Sequence, residues 1–133
     1  HESPIPIALD EELIGIHTKE EKQILLQTIR PHYIILKPSL HGGIGGCAEW
    51  IRLMQLLNKG KKEERWWVTS ALESNIGLNA IAQWTAQMRP TLPQGLGTGM
   101  LFTDNIDMPL QIRQDSLWFD PSGAFPTIET FIR

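Results

Sequence analysis

Four short apolar segments recur along the chain at nearly constant spacing, and this spacing constrains the fold more than any other feature. The segments are Ile5 to Leu9, Tyr33 to Lys37, Trp66 to Ser70 and a less regular one at Gln94 to Thr98. From Ile7 to Ile35 is 28 residues, from Ile35 to Val68 is 33 and from Val68 to Leu96 is 28. A period of roughly 30 with a helical pattern in each gap is the βα unit, which builds parallel sheets. In Tyr33-Ile34-Ile35-Leu36 the apolar residues are continuous rather than alternating, which predicts a strand covered on both faces.

The helices have readable ends. Thr18 with Glu21 three residues later forms a capping box, and Pro31 stops the first helix at Arg30. Ile24, Leu25 and Ile29 are assigned to its inner side. A second helix is expected after the glycine stretch at 42–46, with Trp50, Leu53, Met54 and Leu57 inward and Gly60 as its stop. The third is expected from Ile76 to Met88, with Leu78, Ile81 and Trp84 inward, ended by Arg89-Pro90. The charged connection from Lys59 to Arg65 reads as solvated. Beyond it, Pro109 to Arg113 and Ser116 to Phe119 read as short strands, and Asp120-Pro121-Ser122-Gly123 as a turn.

Size and composition exclude several classes. At 133 residues, a net charge of -3 and 41% hydrophobic residues, the chain carries no basic footprint for nucleic acid and no apolar run of membrane-spanning length. Cys47 is the only cysteine, which excludes an internal disulfide and fits a reducing cytoplasm, and its place on a helix face makes it a core residue. His17 and His32 have no partners at zinc spacing, and His41 reads as a solvated loop residue. The glycine stretch lacks the Lys-Ser or Lys-Thr of a nucleotide loop. The chain opens at His1 with no Met and a strand follows almost at once, as on entry into the middle of a fold. Four βα units leave two open sheet edges, so the spacing is compatible with a small open α/β domain or with half of an eight-stranded barrel.

Three strand ends carry the polar residues that chemistry needs. Asp10 follows the first strand, Lys37 the second, and Thr69-Ser70-Ala71-Leu72-Glu73 the third. In an α/β barrel these ends converge on one mouth, where active sites lie. An aspartate there suits an oxygen-liking cation such as magnesium, and a lysine there suits electrostatic stabilisation or proton transfer.

The segments Ala8-Leu9-Asp10-Glu11, Leu36-Lys37-Pro38-Ser39-Leu40 with Gly42, and Ser70-Ala71-Leu72-Glu73-Ser74 with Gly77-Leu78 resemble the enolase superfamily, and within it the o-succinylbenzoate synthase family. The resemblance covers nearly the whole chain, in order. It implies an α/β fold in which residues 1–108 form the C-terminal half, strands five to eight, of a (β/α)7β TIM-like barrel. Residues 109–133 would form a tail returning toward a capping domain. It implies a magnesium-dependent lyase of menaquinone biosynthesis, with manganese as the alternative ion, that dehydrates a small cyclohexadiene carboxylate. By the same resemblance Asp10 matches a metal ligand, Lys37 a catalytic lysine, and Glu11 and Glu73 carboxylates just behind them. Thr69, Ser70, Ala71, Gly95 and Gly97 match substrate-binding positions. Gln94-Gly95-Leu96-Gly97-Thr98-Gly99 lacks the acidic pair of the related dipeptide epimerases, which leaves muconate-type cycloisomerases and N-acylamino acid racemases as alternatives. The family's second lysine and its two other metal carboxylates have no counterpart here. The chain alone is therefore expected to be inactive, a silent assembly fragment whose partner is an N-terminal part of the barrel and cap, or a second copy of itself.

Overall fold

A computed structural model describes residues 4–58, 63–123, 125–127 and 129. The architecture is mixed α/β. Strand β1 (Ala8–Leu9) is followed by helix α1 (Lys19–Ile29), β2 (Tyr33–Leu36), α2 (Gly43–Leu57), β3 (Trp66–Val68) and α3 (Asn75–Gln87). The strands form a parallel sheet in chain order, with Leu9 opposite Ile34, Ile34 opposite Trp66 and Leu36 opposite Val68. A separate antiparallel hairpin, β4 (Leu110–Arg113) and β5 (Ser116–Phe119), lays Leu110 and Leu117 against the core, and Asp120 to Gly123 turns as its sequence predicts.

Strand alternation sorts the sheet into two unlike faces. Leu9, Ile34, Leu36, Trp66 and Val68 point toward the helices and are buried, together with Cys47, Trp50, Met54, Leu78 and Ile81. Tyr33, Ile35 and Trp67 point the other way and stay partly open, with the Tyr33 and Trp67 rings 5.6 Å apart. Among the described residues the continuous apolar run of β2 thus meets a full layer on one side only, the side on which residues of α1, α2 and α3 join the core.

Several expectations are revised. The first strand is shorter than Ile5 to Leu9; ahead of it the Ile7 carbonyl accepts from the His32 and Tyr33 N–H groups, and the Ile7 N–H donates to His32 Nδ1. The segment at Gln94 to Thr98 contributes one parallel bridge, Thr69 to Gly95, and then winds into a 3-10 turn at Gly97–Met100. Glycines at 95, 97 and 99 supply little side chain to pack and give up much backbone freedom, which disfavours a longer strand. Helix α1 has its capping box and ends at a left-handed Arg30, but Ile24 and Ile29 face solvent. Leu26 and the aliphatic stem of Lys22 are the buried residues of that helix. Helix α2 begins inside the glycine stretch at Gly43 rather than after it and ends at Leu57, capped by Asn58; the expected stop at Gly60 lies outside the described residues. Helix α3 is inward at Leu78 and Ile81, with Trp84 partly buried beside them. Glu64, read as part of a solvated connection, accepts the Thr91 and Leu92 N–H groups and ties β3 to the loop after α3. Among the described residues no helix is long and apolar enough to cross a membrane.

Candidate active site at the strand ends

Asp10, Lys37 and Thr69 directly follow β1, β2 and β3. By alternation each belongs to the half-open face of the sheet, the one that carries Tyr33, Ile35 and Trp67. The Lys37 Nζ lies 2.8 Å from Asp10 Oδ1 and 3.8 Å from Glu11 Oε1. The Lys37 side chain is 14% exposed and that of Asp10 36%, so this ion pair sits at the edge of solvent, whereas Glu11 is 79% exposed.

The loop after β3 is organised by Glu73. Its carboxylate accepts from Ser70 Oγ at 2.6 Å, from the Ala71 N–H at 2.9 Å and from Ser39 Oγ, in the loop after β2, at 2.5 Å. Burial pushes the Glu73 carboxyl up, but the hydrogen bonds from Ser39, Ser70 and Ala71 together outweigh it and hold the group below the usual carboxylate range. Ser70 is buried and its Oγ also accepts the Leu72 N–H at 2.8 Å, which supports a left-handed Leu72. Thr69 Oγ1 donates to the Gly95 carbonyl at 2.9 Å. A Cβ at Gly95 would lie 2.6 Å from Thr69 Oγ1, so the bridge depends on glycine there. The Thr69 and Ser70 hydroxyls and the Ala71 N–H thus bond within the protein, to Gly95 and Glu73.

Gly97 lies elsewhere in contact terms. It lines a groove of about 1100 Å³ between α3, the loop at 89–97 and the β4–β5 hairpin, together with Leu96, Leu110 and Leu117. Asp10, Lys37, Ser70 and Glu73 do not line that groove.

Two residues near the site were not read from the sequence. His41 is 2% exposed rather than solvated, and its Nδ1 accepts the Lys37 backbone N–H at 3.0 Å. Burial lowers the His41 pKa, against an upward pull from Asp10, with Lys37 and Lys22 adding to the decrease. Lys22 is buried between α1 and α2, with its Nζ 2.8 Å from Glu49 Oε2 and 5.4 Å from the centre of the Trp50 ring. The i to i+4 step from Lys37 to His41 was the only trace of the first, and nothing local marks the second. Cys47 is a core residue as expected, and burial pushes its thiol up to about 12.

Among the described residues no group of three or more His, Cys, Asp or Glu is placed to hold a metal ion. Asp10 is a single carboxylate already paired with an ammonium. Magnesium demands near-octahedral oxygen ligation and dehydrates reluctantly, so these residues by themselves do not fit it.

No protein-family profile matches the chain. Its sequence is 54% identical over 110 residues to an o-succinylbenzoate synthase of Desulfotalea psychrophila (strain LSv54 / DSM 12343), an alignment covering 83% of this chain and 28% of that protein. Its fold matches a crystal structure of MenC from Desulfotalea psychrophila LSv54 with a TM-score of 0.75 and 53% identity, covering 86% of this chain and 31% of that one. The chain spans less than a third of the length of either relative. By sequence the chain is similar to part of that o-succinylbenzoate synthase, and by fold to part of that MenC structure.

Proposed function

We propose that this chain acts as the C-terminal half, strands five to eight, of the barrel of an o-succinylbenzoate synthase-like enzyme. Residues 1–108 belong to the barrel and 109–133 to a tail directed toward a capping domain. The reaction is syn elimination of water from a cyclohexadiene carboxylate. A proton leaves the carbon next to the carboxylate, hydroxide leaves the ring and departs as water, and the ring becomes aromatic.

The observation that carries this reading is the Asp10–Lys37 pair, 2.8 Å apart at the carboxyl ends of adjacent parallel strands, in a chain with this relative. Removing the proton leaves negative charge on the substrate carboxylate. An ammonium fixed at the mouth offers both charge and N–H donors to that enediolate, and a preformed donor of this kind stabilises a transition state without reorganising. Asp10 orients Lys37 in the chain as it stands. Glu11 flanks that pair on its solvent side, and Glu73 shapes the Thr69–Ser70–Ala71 segment whose neighbourhood, with Gly95, we assign to the succinyl end of the substrate. The family's ion would need carboxylates beyond Asp10. We assign the cover of the half-open sheet face to the remaining barrel strands of a longer protein, and the setting to the cytoplasm, where Cys47 stays reduced.

The test is turnover of the cyclohexadiene carboxylate by the longer protein carrying this segment, compared with its Lys37→Ala variant. We expect Lys37→Ala to lose about 10³-fold in kcat with the fold intact. A variant with near-normal turnover would remove Lys37 from the chemistry.

A further inference from the structure

We infer that His41 is a positioning residue for Lys37: its buried Nδ1 fixes the lysine's backbone so that Nζ meets Asp10. This rests on the function proposed above. The observations concern the short loop between β2 and α2. The sheet ladder ends at Leu36, whose carbonyl accepts the Thr69 N–H at 2.9 Å. The next N–H, that of Lys37, is beyond the ladder and finds His41 Nδ1 at 3.0 Å. The Lys37 carbonyl in turn accepts the Leu40 and His41 N–H groups at 2.9 and 3.0 Å. Both backbone groups of Lys37 are therefore tied to its own loop, residues 37–42, and Pro38 restricts the step between them.

His41 is itself held. A Cβ at Gly46 would lie 2.2 Å from the His41 carbonyl oxygen, so the first turn of α2 approaches that backbone as closely as a glycine permits. The imidazole is 2% exposed, and among the described residues nothing pairs with its Nε2. Burying a polar atom without a partner is costly, and an apolar side chain would fill the same space without that cost. What a hydrocarbon cannot supply is the acceptor at Nδ1. An acceptor is required there because an unpaired buried N–H on Lys37 would release the loop. Misplacing a reacting group by about 1 Å costs about 10²-fold in rate. The loop fixes where the Lys37 side chain starts and Asp10 fixes where its Nζ ends, so a shift of the loop strains the pair.

Three variants separate the acceptor from mere packing. His41→Asn places Oδ1 where Nδ1 stood; His41→Gln places its oxygen near the Nε2 position instead; His41→Leu has no acceptor. Two readouts are taken. One is hydrogen-exchange protection of the Lys37 amide in the 133-residue chain, and the other is kcat and KM in the longer enzyme. The expected result is that His41→Asn keeps protection and kcat within about threefold, while His41→Gln and His41→Leu lose protection by about tenfold and kcat by about 10²-fold at little-changed KM. If His41→Leu does not fold, the contrast between Asn and Gln decides. Equal behaviour of Asn and Gln in either readout would overturn the inference. A wild-type enzyme without turnover would sink the proposed function instead, and the exchange measurement would still decide the role of His41.

Discussion

Asp10 and Lys37 were legible as single residues because strand alternation is strict. Each follows an apolar run at the parity that sends it to the face opposite Leu9 and Leu36, and parallel pairing in chain order then brings the two together. His41 was not legible, because its burial depends on how closely α2 approaches the loop. That approach turns on Gly46, whose hydrogen leaves room where a methyl would collide with a carbonyl oxygen rather than with a flexible side chain. We expect Gly46→Ala to destabilise the chain by about 2 kcal/mol or more, measured by urea unfolding. An unchanged midpoint would mean that the loop gives way easily and does not hold Lys37 firmly.

At the scale of elements, the ends of α1 were readable and its buried face was not. The capping box and the left-handed Arg30 before Pro31 are local chemistry. The face is set by Glu49 and Trp50, which receive Lys22 from 27 and 28 residues away, and apolar spacing cannot reveal a lysine made acceptable by a distant carboxylate. The β3 loop shows the same dependence. Glu73 joins it to Ser39 of the β2 loop, a contact across 34 residues. Because hydrogen bonds hold the folded Glu73 carboxyl below its ordinary value of 4.5, its contribution to stability is fully present above that pH and is lost as the pH falls through the lower folded value. Glu73→Gln is expected to cost about 1.5 kcal/mol at neutral pH and to flatten the loss of Tm as the pH falls below 4.5. A variant that loses Tm with acid as steeply as the wild type would show that Glu73 does not carry this acid sensitivity.

For the whole molecule, the repeat spacing predicted parallel strands in chain order, and the three-stranded sheet has that arrangement. The fourth segment fell short because its glycines offer the sheet a backbone and almost no side chains, leaving one bridge at Gly95. The half-open face, and an Asp10 carboxylate already paired with Lys37, both bear on what the chain does unaided. We expect the 133-residue chain to bind magnesium with a dissociation constant on the order of 1 mM or weaker and to leave the cyclohexadiene carboxylate unchanged. Calorimetric titration showing micromolar binding would mean that ligands other than Asp10 gather in solution.

The central claim is that Asp10 and Lys37 act as one centre. Its most direct measurement is kcat for dehydration in the longer enzyme bearing Asp10→Asn, Lys37→Met and the two together. Groups that act as a unit are strongly non-additive. Each single variant should lose about 10³-fold, and the double variant no more than about tenfold beyond the worse single one. Losses that multiply, or a single variant close to wild-type turnover, would contradict the claim.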